Sequence, residues 1–120
     1  MTMCDYGKQQ IAIRIGSNIS VPAAVAIGTG SGTELASRIA LISESTRAAF
    51  SDTDFDSTPR KISFTSDFTS VAMSGIQLRE FGVFNTSAAN TGSLWQLEAF
   101  NAITFDGTME LQVESNWEIY

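Results

Sequence analysis

The strongest constraint on the fold is the alternation of apolar and polar residues over the last twelve positions, Met109 to Tyr120. Along one row stand Met109, Leu111, Val113, Trp117 and Ile119. Mostly Glu, Gln and Asn fill the positions between them. A period of two places successive side chains on opposite faces of a strand, so that one row packs on a core and the other contacts water. The pattern predicts a half-buried antiparallel strand.

Other segments of the chain carry strand patterns between short stretches rich in turn-forming residues. The predicted strands are Ala23 to Ile27, Ile39 to Phe50, Lys61 to Ser70, Ile76 to Phe84, Leu94 to Phe100 and the final segment. The predicted loops include Ser51 to Pro59, Asn85 to Ser93, and Asn101 to Gly107 with buried Ile103 and Phe105. Six strands at this spacing are the pattern of an antiparallel sandwich or a small barrel, and we predict an all-β protein with an antiparallel β-sandwich.

One short N-terminal helix is predicted over Lys8 to Ile15, with Asp5 as a candidate N-cap and Gly16 as its stop. Its isoleucines also alternate as they would in a strand, so a strand remains an alternative. Farther along, Thr33 is a candidate cap for one helical turn over residues 34–36.

Length and charge narrow the classes of function. A chain of 120 residues with 43% hydrophobic content suits one domain, residues 1–120. A net charge of −6 and seven scattered cations argue against nucleic-acid binding. No apolar stretch is long enough to span a bilayer, so we expect no membrane partner. The single cysteine, Cys4, permits no internal disulfide, and we expect a soluble protein made in a reducing cytoplasm.

The sequence contains no histidine, so a Ser-His-Asp or Cys-His arrangement cannot be built. Cys4 has no evident base to activate it. The glycine-rich segment Gly28 to Thr33 is similar to a phosphate cradle. However, it lacks the pattern of a dinucleotide loop and the lysine of a Walker loop. We interpret it as a tight linker at a sheet edge. We predict no enzyme activity and no cofactor.

Three aspartates, Asp52, Asp54 and Asp56, have the spacing of the first three ligands in a calcium loop. The sixth position of such a loop should be Gly and the twelfth Glu, but here Ser57 and Ser63 stand there. The main interpretation is a solvated acidic turn without a metal, and a calcium ion in a loop of another type is the alternative.

Glu110, Glu114 and Glu118 share the polar face of the last strand. Paired carboxylates can hydrolyse glycosides, but only within a cleft of fixed width. On an open strand face they more often protect the edge or meet a basic neighbour. Trp95 and Trp117 are expected in the core, with a contact surface or a sugar platform as the alternative.

Two stretches carry a resemblance to a known class of proteins. Residues 8–16, then Ala24 to Gly30, Glu34-Leu35 and Arg38, resemble the opening of small structural proteins of tailed viruses, with their "IA..I", "IAIGTGT" and "L..E..R" segments. Residues 76–85, Leu94-Trp95, Phe100 and residues 111–119 are similar to their "IREAGLFN … F.PI … L.V.W.I" close. Order and spacing are preserved over most of the chain. The departures are Val25, where an aromatic is common, and the Ser- and Asp-rich middle.

The resemblance implies a structural protein of a phage or archaeal tailed virus, assembled in the host cytoplasm and located in the virion. We favour a tail- or neck-associated adaptor that anchors a fibre or baseplate element. A capsid decoration protein is the alternative, and a carbohydrate- or receptor-binding module is the alternative from another class. The implied partners are other virion proteins and further copies of the chain. Loops on a rigid sandwich carry recognition, so the predicted interface residues are Gly28, Thr29, Gly30, Ser31, Asn85, Asn90 and Trp95.

Overall fold

The computed structural model describes residues 2–14, 21–56 and 60–118 of the chain. These residues form eight strands and two short helices. In chain order the elements are β1 (Thr2–Met3), α1 (Asp5–Arg14), β2 (Ala24–Gly28), β3 (Glu44–Ala49), β4 (Asp52–Asp56), β5 (Lys61–Phe68), α2 (Ser70–Met73), β6 (Gln77–Phe84), β7 (Leu94–Thr104) and β8 (Leu111–Glu118).

The strands form two antiparallel sheets, which confirms the predicted fold class. The larger sheet has the strand order β1-β7-β6-β2-β3, and the smaller one has the order β4-β5-β8. The two strands beyond the predicted six are β1 and β4. Neither helix in the described part of the chain approaches the length and apolar character of a membrane span.

The main core lies between the sheets and collects the inward rows of their strands. The alternation in β8 is confirmed, since Val113 and Trp117 are buried while Gln112 and Glu114 are exposed. The buried members of this core are Val25, Ile27, Phe64, Phe68, Met73, Leu78, Val83, Trp95, Phe105, Val113 and Trp117.

A second apolar cluster comprises Cys4, Ala26, Leu41, Phe84, Leu94 and Leu97. Its member on β2, Ala26, alternates with Val25 and Ile27 of the main core, so the cluster lies on the other face of the larger sheet. All five residues of β2 are therefore buried, and the strand shows a continuous apolar run instead of alternation.

The predicted loop over Ser51 to Pro59 is wrong for residues 52–56, which form β4, whereas residues 57–59 lie outside the described part. The strand pairs residue for residue with β5, from Asp52 opposite Thr65 to Asp56 opposite Lys61. Its three aspartates look like turn residues in sequence, but they occupy alternate positions and share one face. Charged side chains of this kind are typical of a strand at the edge of a sheet.

Other predicted boundaries shift. The helix begins at Asp5, which is its first residue, and the predicted stop at Gly16 lies outside the described residues. No helical turn starts at Thr33; a turn follows at residues 36–37. A one-turn helix that the sequence did not indicate, α2, is capped by the Thr69 hydroxyl, which accepts from the Ala72 N–H at 3.2 Å.

Two predictions about single strands also change. β7 continues to Thr104, so Ile103 is half exposed on a strand, while Phe105 is buried as predicted. The strand predicted from Ile39 begins only at Glu44, because the N–H groups of Ile42 and Ser43 donate to a side chain.

Candidate interaction surfaces

The glycine-rich loop, residues 28–33, wraps around a carboxylate of the protein itself. Glu80 on β6 is 1% exposed. Its Oε2 accepts the N–H of Gly30 at 3.0 Å and of Ser43 at 2.9 Å, and its Oε1 accepts the N–H of Ile42 at 2.9 Å. Arg38 lies 3.8 Å from Oε1. Within the segment that is similar to a phosphate cradle, the Gly30 amide is therefore occupied by an internal anion.

This arrangement explains both the glycines and the late start of β3. A Cβ on Gly28 would lie 2.5 Å from the Ser43 carbonyl oxygen and 2.7 Å from Glu80 Oε2. Because Ile42 and Ser43 donate to a side chain instead of a neighbouring strand, the ladder begins only at Glu44. We interpret the loop as a structural clamp.

Among the described residues, Arg79 and Glu80 are adjacent in sequence but form no ion pair with each other. Neighbouring residues of a strand point to opposite faces. Arg79 donates to the Thr29 carbonyl at 3.1 Å and to Gln77 Oε1 at 2.9 Å.

The hairpin loop, residues 85–93, is held by Arg47 on β3. The Arg47 guanidinium is 1% exposed and donates to both carboxylate oxygens of Glu44 at 2.6 and 3.0 Å. It also donates to the carbonyls of Thr86 at 3.0 Å and Thr91 at 2.9 Å, and it lies 3.8 Å from the centre of the Phe84 ring. The planar guanidinium of Arg47 bonds to the loop carbonyls and to Glu44 at the same time, and so it connects the loop to the sheet.

The predicted interface residues are only partly brought together. Gly28 pairs with Glu44 in the sheet, and the Asn90 N–H donates to Glu44 Oε2 at 3.2 Å. The glycine-rich loop and the hairpin loop therefore both contact Glu44. Ser31 and Asn90 are exposed, whereas Thr29, Gly30 and Asn85 are half-buried. Asn85 is engaged internally, with Ser93 and Tyr6.

Gly28 and Trp95 are buried. The Trp95 indole, a predicted interface residue, is 3% exposed and packs in the core between the sheets. Burying so large an apolar ring contributes more to folding than exposing it at a rim.

The outer face of the smaller sheet carries a concentration of negative charge, which we call the acidic face. The register places three rows across it, namely Asp52-Thr65-Glu114, Asp54-Ser63-Asn116 and Asp56-Lys61-Glu118, and Asp67 lies opposite Gln112. Six of the 13 acidic residues of the chain therefore share this face with one of its seven cations. Sequence reasoning found the glutamates of β8 but not the aspartates of β4, since it assigned those to a loop.

Polar side chains on this face are held by hydrogen bonds across the strands. Asp67 accepts from the Ser51 hydroxyl at 2.8 Å and from the Gln112 amide at 3.0 Å, and Ser63 donates to Asn116 at 2.5 Å. The bonds from Gln112 and then Ser51 lower the pKa of Asp67. These hydrogen bonds hold several side chains of the acidic face in place.

Asp52, Asp54 and Asp56, the residues of the calcium alternative, occupy alternate positions of a strand instead of a loop, and such positions lie about 6.6 Å apart. Within residues 2–14, 21–56 and 60–118, no three or more Cys, Asp or Glu side chains are placed to hold a metal ion.

An apolar cavity of about 460 Å³ opens beside β4, and we call it the tryptophan cavity. Its lining consists of Val21, Pro22, Thr53, Ile62, Phe64, Trp95 and Trp117. The two indole rings lie 5.7 Å apart between centres. The Trp117 Nε1–H donates to Gln96 and to the Ser115 hydroxyl, whereas the buried Trp95 Nε1–H has no acceptor in the described part of the chain.

Cys4 is fully buried in the second apolar cluster. Desolvation raises the pKa of its thiol to about 11, with a further contribution from Asp5. A thiol of this kind stays protonated at neutral pH and is not a nucleophile.

Comparisons with protein-family models, with curated proteins and with solved structures find no match to this chain.

Proposed function

We propose that this chain is a non-enzymatic structural protein of a tailed-virus particle, which docks to other virion proteins through the acidic face of its smaller sheet. The proposal joins two supports. One is the resemblance of residues 8–38 and 76–119 to small tailed-virus structural proteins. The other is the acidic face itself, and it is the observation that carries the proposal.

Charge makes this face suitable for docking. Complementary potentials steer association and fix the orientation of partners more than they raise affinity. A face with six carboxylates and one lysine favours a basic surface on a neighbour. The cross-strand hydrogen bonds of Asp67 and Ser63 hold these side chains in one conformation. Less conformational entropy is then lost when a partner binds.

Within the particle we favour a tail- or neck-associated adaptor that anchors a fibre or baseplate element, with a capsid decoration protein as the alternative. Repetition around a symmetry axis multiplies weak contacts, and a homo-oligomer is therefore part of the proposal. A sugar-binding role at Trp95 has less support, because stacking on a sugar needs an exposed ring.

Detection of the chain in purified tailed-virus particles tests this function. We expect peptides of the chain to remain with the particles through density-gradient purification and to be released together with tail or neck proteins. Native mass spectrometry of the released material should show several copies together. A chain found only in the soluble fraction of infected cells would contradict the proposal.

A further inference from the structure

We infer that the free edge of β4, together with the tryptophan cavity beside it, binds an extended segment of a partner protein in which basic and apolar residues alternate. The inference deepens the proposed function, because it names the chemistry of a docking partner. It rests on that function only in taking the partner to be a protein.

The backbone of β4 is available on one side. Among the described residues, β4 pairs with β5 alone, and no other backbone hydrogen bond of residues 52–55 is found there. All five residues are exposed. An edge strand directs the N–H and C=O of every second residue outward, where another strand can pair with them.

The inner side of this edge is apolar and incompletely filled. Thr53 of β4 lines the tryptophan cavity, whose volume of about 460 Å³ is within the range of binding pockets. Phe55, the next inward residue, is 68% exposed, and Val21 at the lining is 46% exposed. A strand added beside β4 would place every second side chain on this side. Those side chains should therefore be apolar.

The outer side of the edge selects positive charge. Asp52 and Asp54 face outward in register with Thr65 and Ser63, which are neutral. Opposite charges on adjacent strands attract, and like charges repel. A second copy that paired through its own β4 would bring aspartates against aspartates, so the favoured partner is basic at the outward positions.

A peptide assay tests the inference on the full chain. The ligand is a capped peptide of about eight residues, the length of a typical strand, that alternates Lys with Val or Leu and lacks Trp. The control peptide has the same residues in one basic and one apolar block. Both tryptophans of the chain line the cavity, so their fluorescence reports its occupancy directly.

We expect the alternating peptide to change the tryptophan emission and to bind at least about tenfold more tightly than the block peptide, since only alternation places charges outward and apolar groups inward. Asp52→Asn with Asp54→Asn should weaken binding by about three- to tenfold at physiological salt. The matched control, Asp5→Asn with Glu110→Gln, removes the same charge from exposed residues outside the acidic face. It should change binding by less than about twofold, because salt screens distant charges.

A second pair of variants tests the role of the tryptophan cavity. Val21→Asn places a polar group at the cavity lining and should weaken binding, whereas Val71→Asn, at a residue of α2 that is 84% exposed, should not. Circular dichroism of each variant confirms that its fold is retained. Equal binding of both peptides, or equal loss in both charge variants, would overturn the inference.

The outcomes for the two proposals are separable. If the chain is found on particles and the alternating peptide does not bind, the edge inference is wrong and the proposed function stands. If the peptide binds as expected and the chain is absent from particles, the edge inference stands and the proposed function is wrong.

Discussion

The Oε2 atom of Glu80 accepts the backbone N–H of Gly30 at 3.0 Å, across fifty positions of sequence. The same carboxylate holds Ile42 and Ser43, so one buried side chain fixes both ends of the long connection between β2 and β3. Leu41, which lies in that connection, packs in the second apolar cluster on one face of the larger sheet. The carboxylate therefore acts as an internal substitute for a strand partner.

Replacement of this acceptor should lower stability. Glu80→Gln keeps the size of the side chain but replaces one oxygen with an NH₂ group, which cannot accept from the loop amides. Because hydrogen bonds to a charged group contribute about 1.5–3 kcal/mol each, we expect a loss of about 2–3 kcal/mol in the free energy of unfolding. Urea denaturation followed by tryptophan fluorescence measures it.

Glu114→Gln is the matched control for that variant. Glu114 is exposed on the acidic face, and surface substitutions of this kind change stability by about 0.5 kcal/mol or less. Equal stability of the Glu80 and Glu114 variants would contradict the clamp.

The Arg47 guanidinium should be needed to hold the hairpin loop. Lys at this position keeps the charge but cannot reach both Glu44 oxygens and the two loop carbonyls together. We expect Arg47→Lys to cost about 1–3 kcal/mol and to speed amide hydrogen exchange in residues 85–93. Arg79→Lys, at a half-buried residue with two hydrogen bonds, should leave that exchange unchanged. Unaltered exchange in the Arg47 variant would refute the role.

The buried thiol of Cys4 should resist alkylation. Burial raises its pKa to about 11, so the thiolate that reacts is scarce at pH 8 and is also covered. We expect a disulfide reagent at pH 8 to label the native chain at least about a hundredfold more slowly than the urea-unfolded chain. Labelling of the native chain at the rate of free glutathione would contradict the burial of Cys4 in the second apolar cluster.

Asp67 should make stability depend on pH. Hydrogen bonds from Gln112 and Ser51 lower its pKa in the folded chain, so its ionised form favours folding. That contribution is present above the unfolded pKa of about 3.9 and is lost as the pH falls through the lower folded value. The stability difference between the native chain and Asp67→Asn should therefore be larger at pH 7 than at pH 2. A difference that does not vary with pH would contradict these bonds.

The sequence predicted the parts of the fold that depend on local periodicity. Apolar and polar residues alternate in β5 and β8 because one face of each strand is buried. In β2 the apolar residues are continuous because both faces of the strand are buried. β4 was missed because its exposed Asp and Thr residues have the composition of a turn, and only its pairing with β5 makes it a strand.

The candidate site was harder to predict because it depends on pairing between distant segments. The acidic face combines β4 with β8, which never pair with each other and are brought together by β5. The Glu80 clamp joins positions 30 and 80, and no local pattern indicates such a contact. Trp95 was assigned both to the core and to an interface, and burial places it in the core.

A reconstruction of an intact tailed-virus particle that carries this chain tests the central claim most directly. We predict density for a two-sheet domain at the tail or neck, with the outer face of β4, β5 and β8 against a basic surface of a neighbouring protein. Density with that face open to solvent and the contacts elsewhere, or no density for the chain on the particle, would contradict the account.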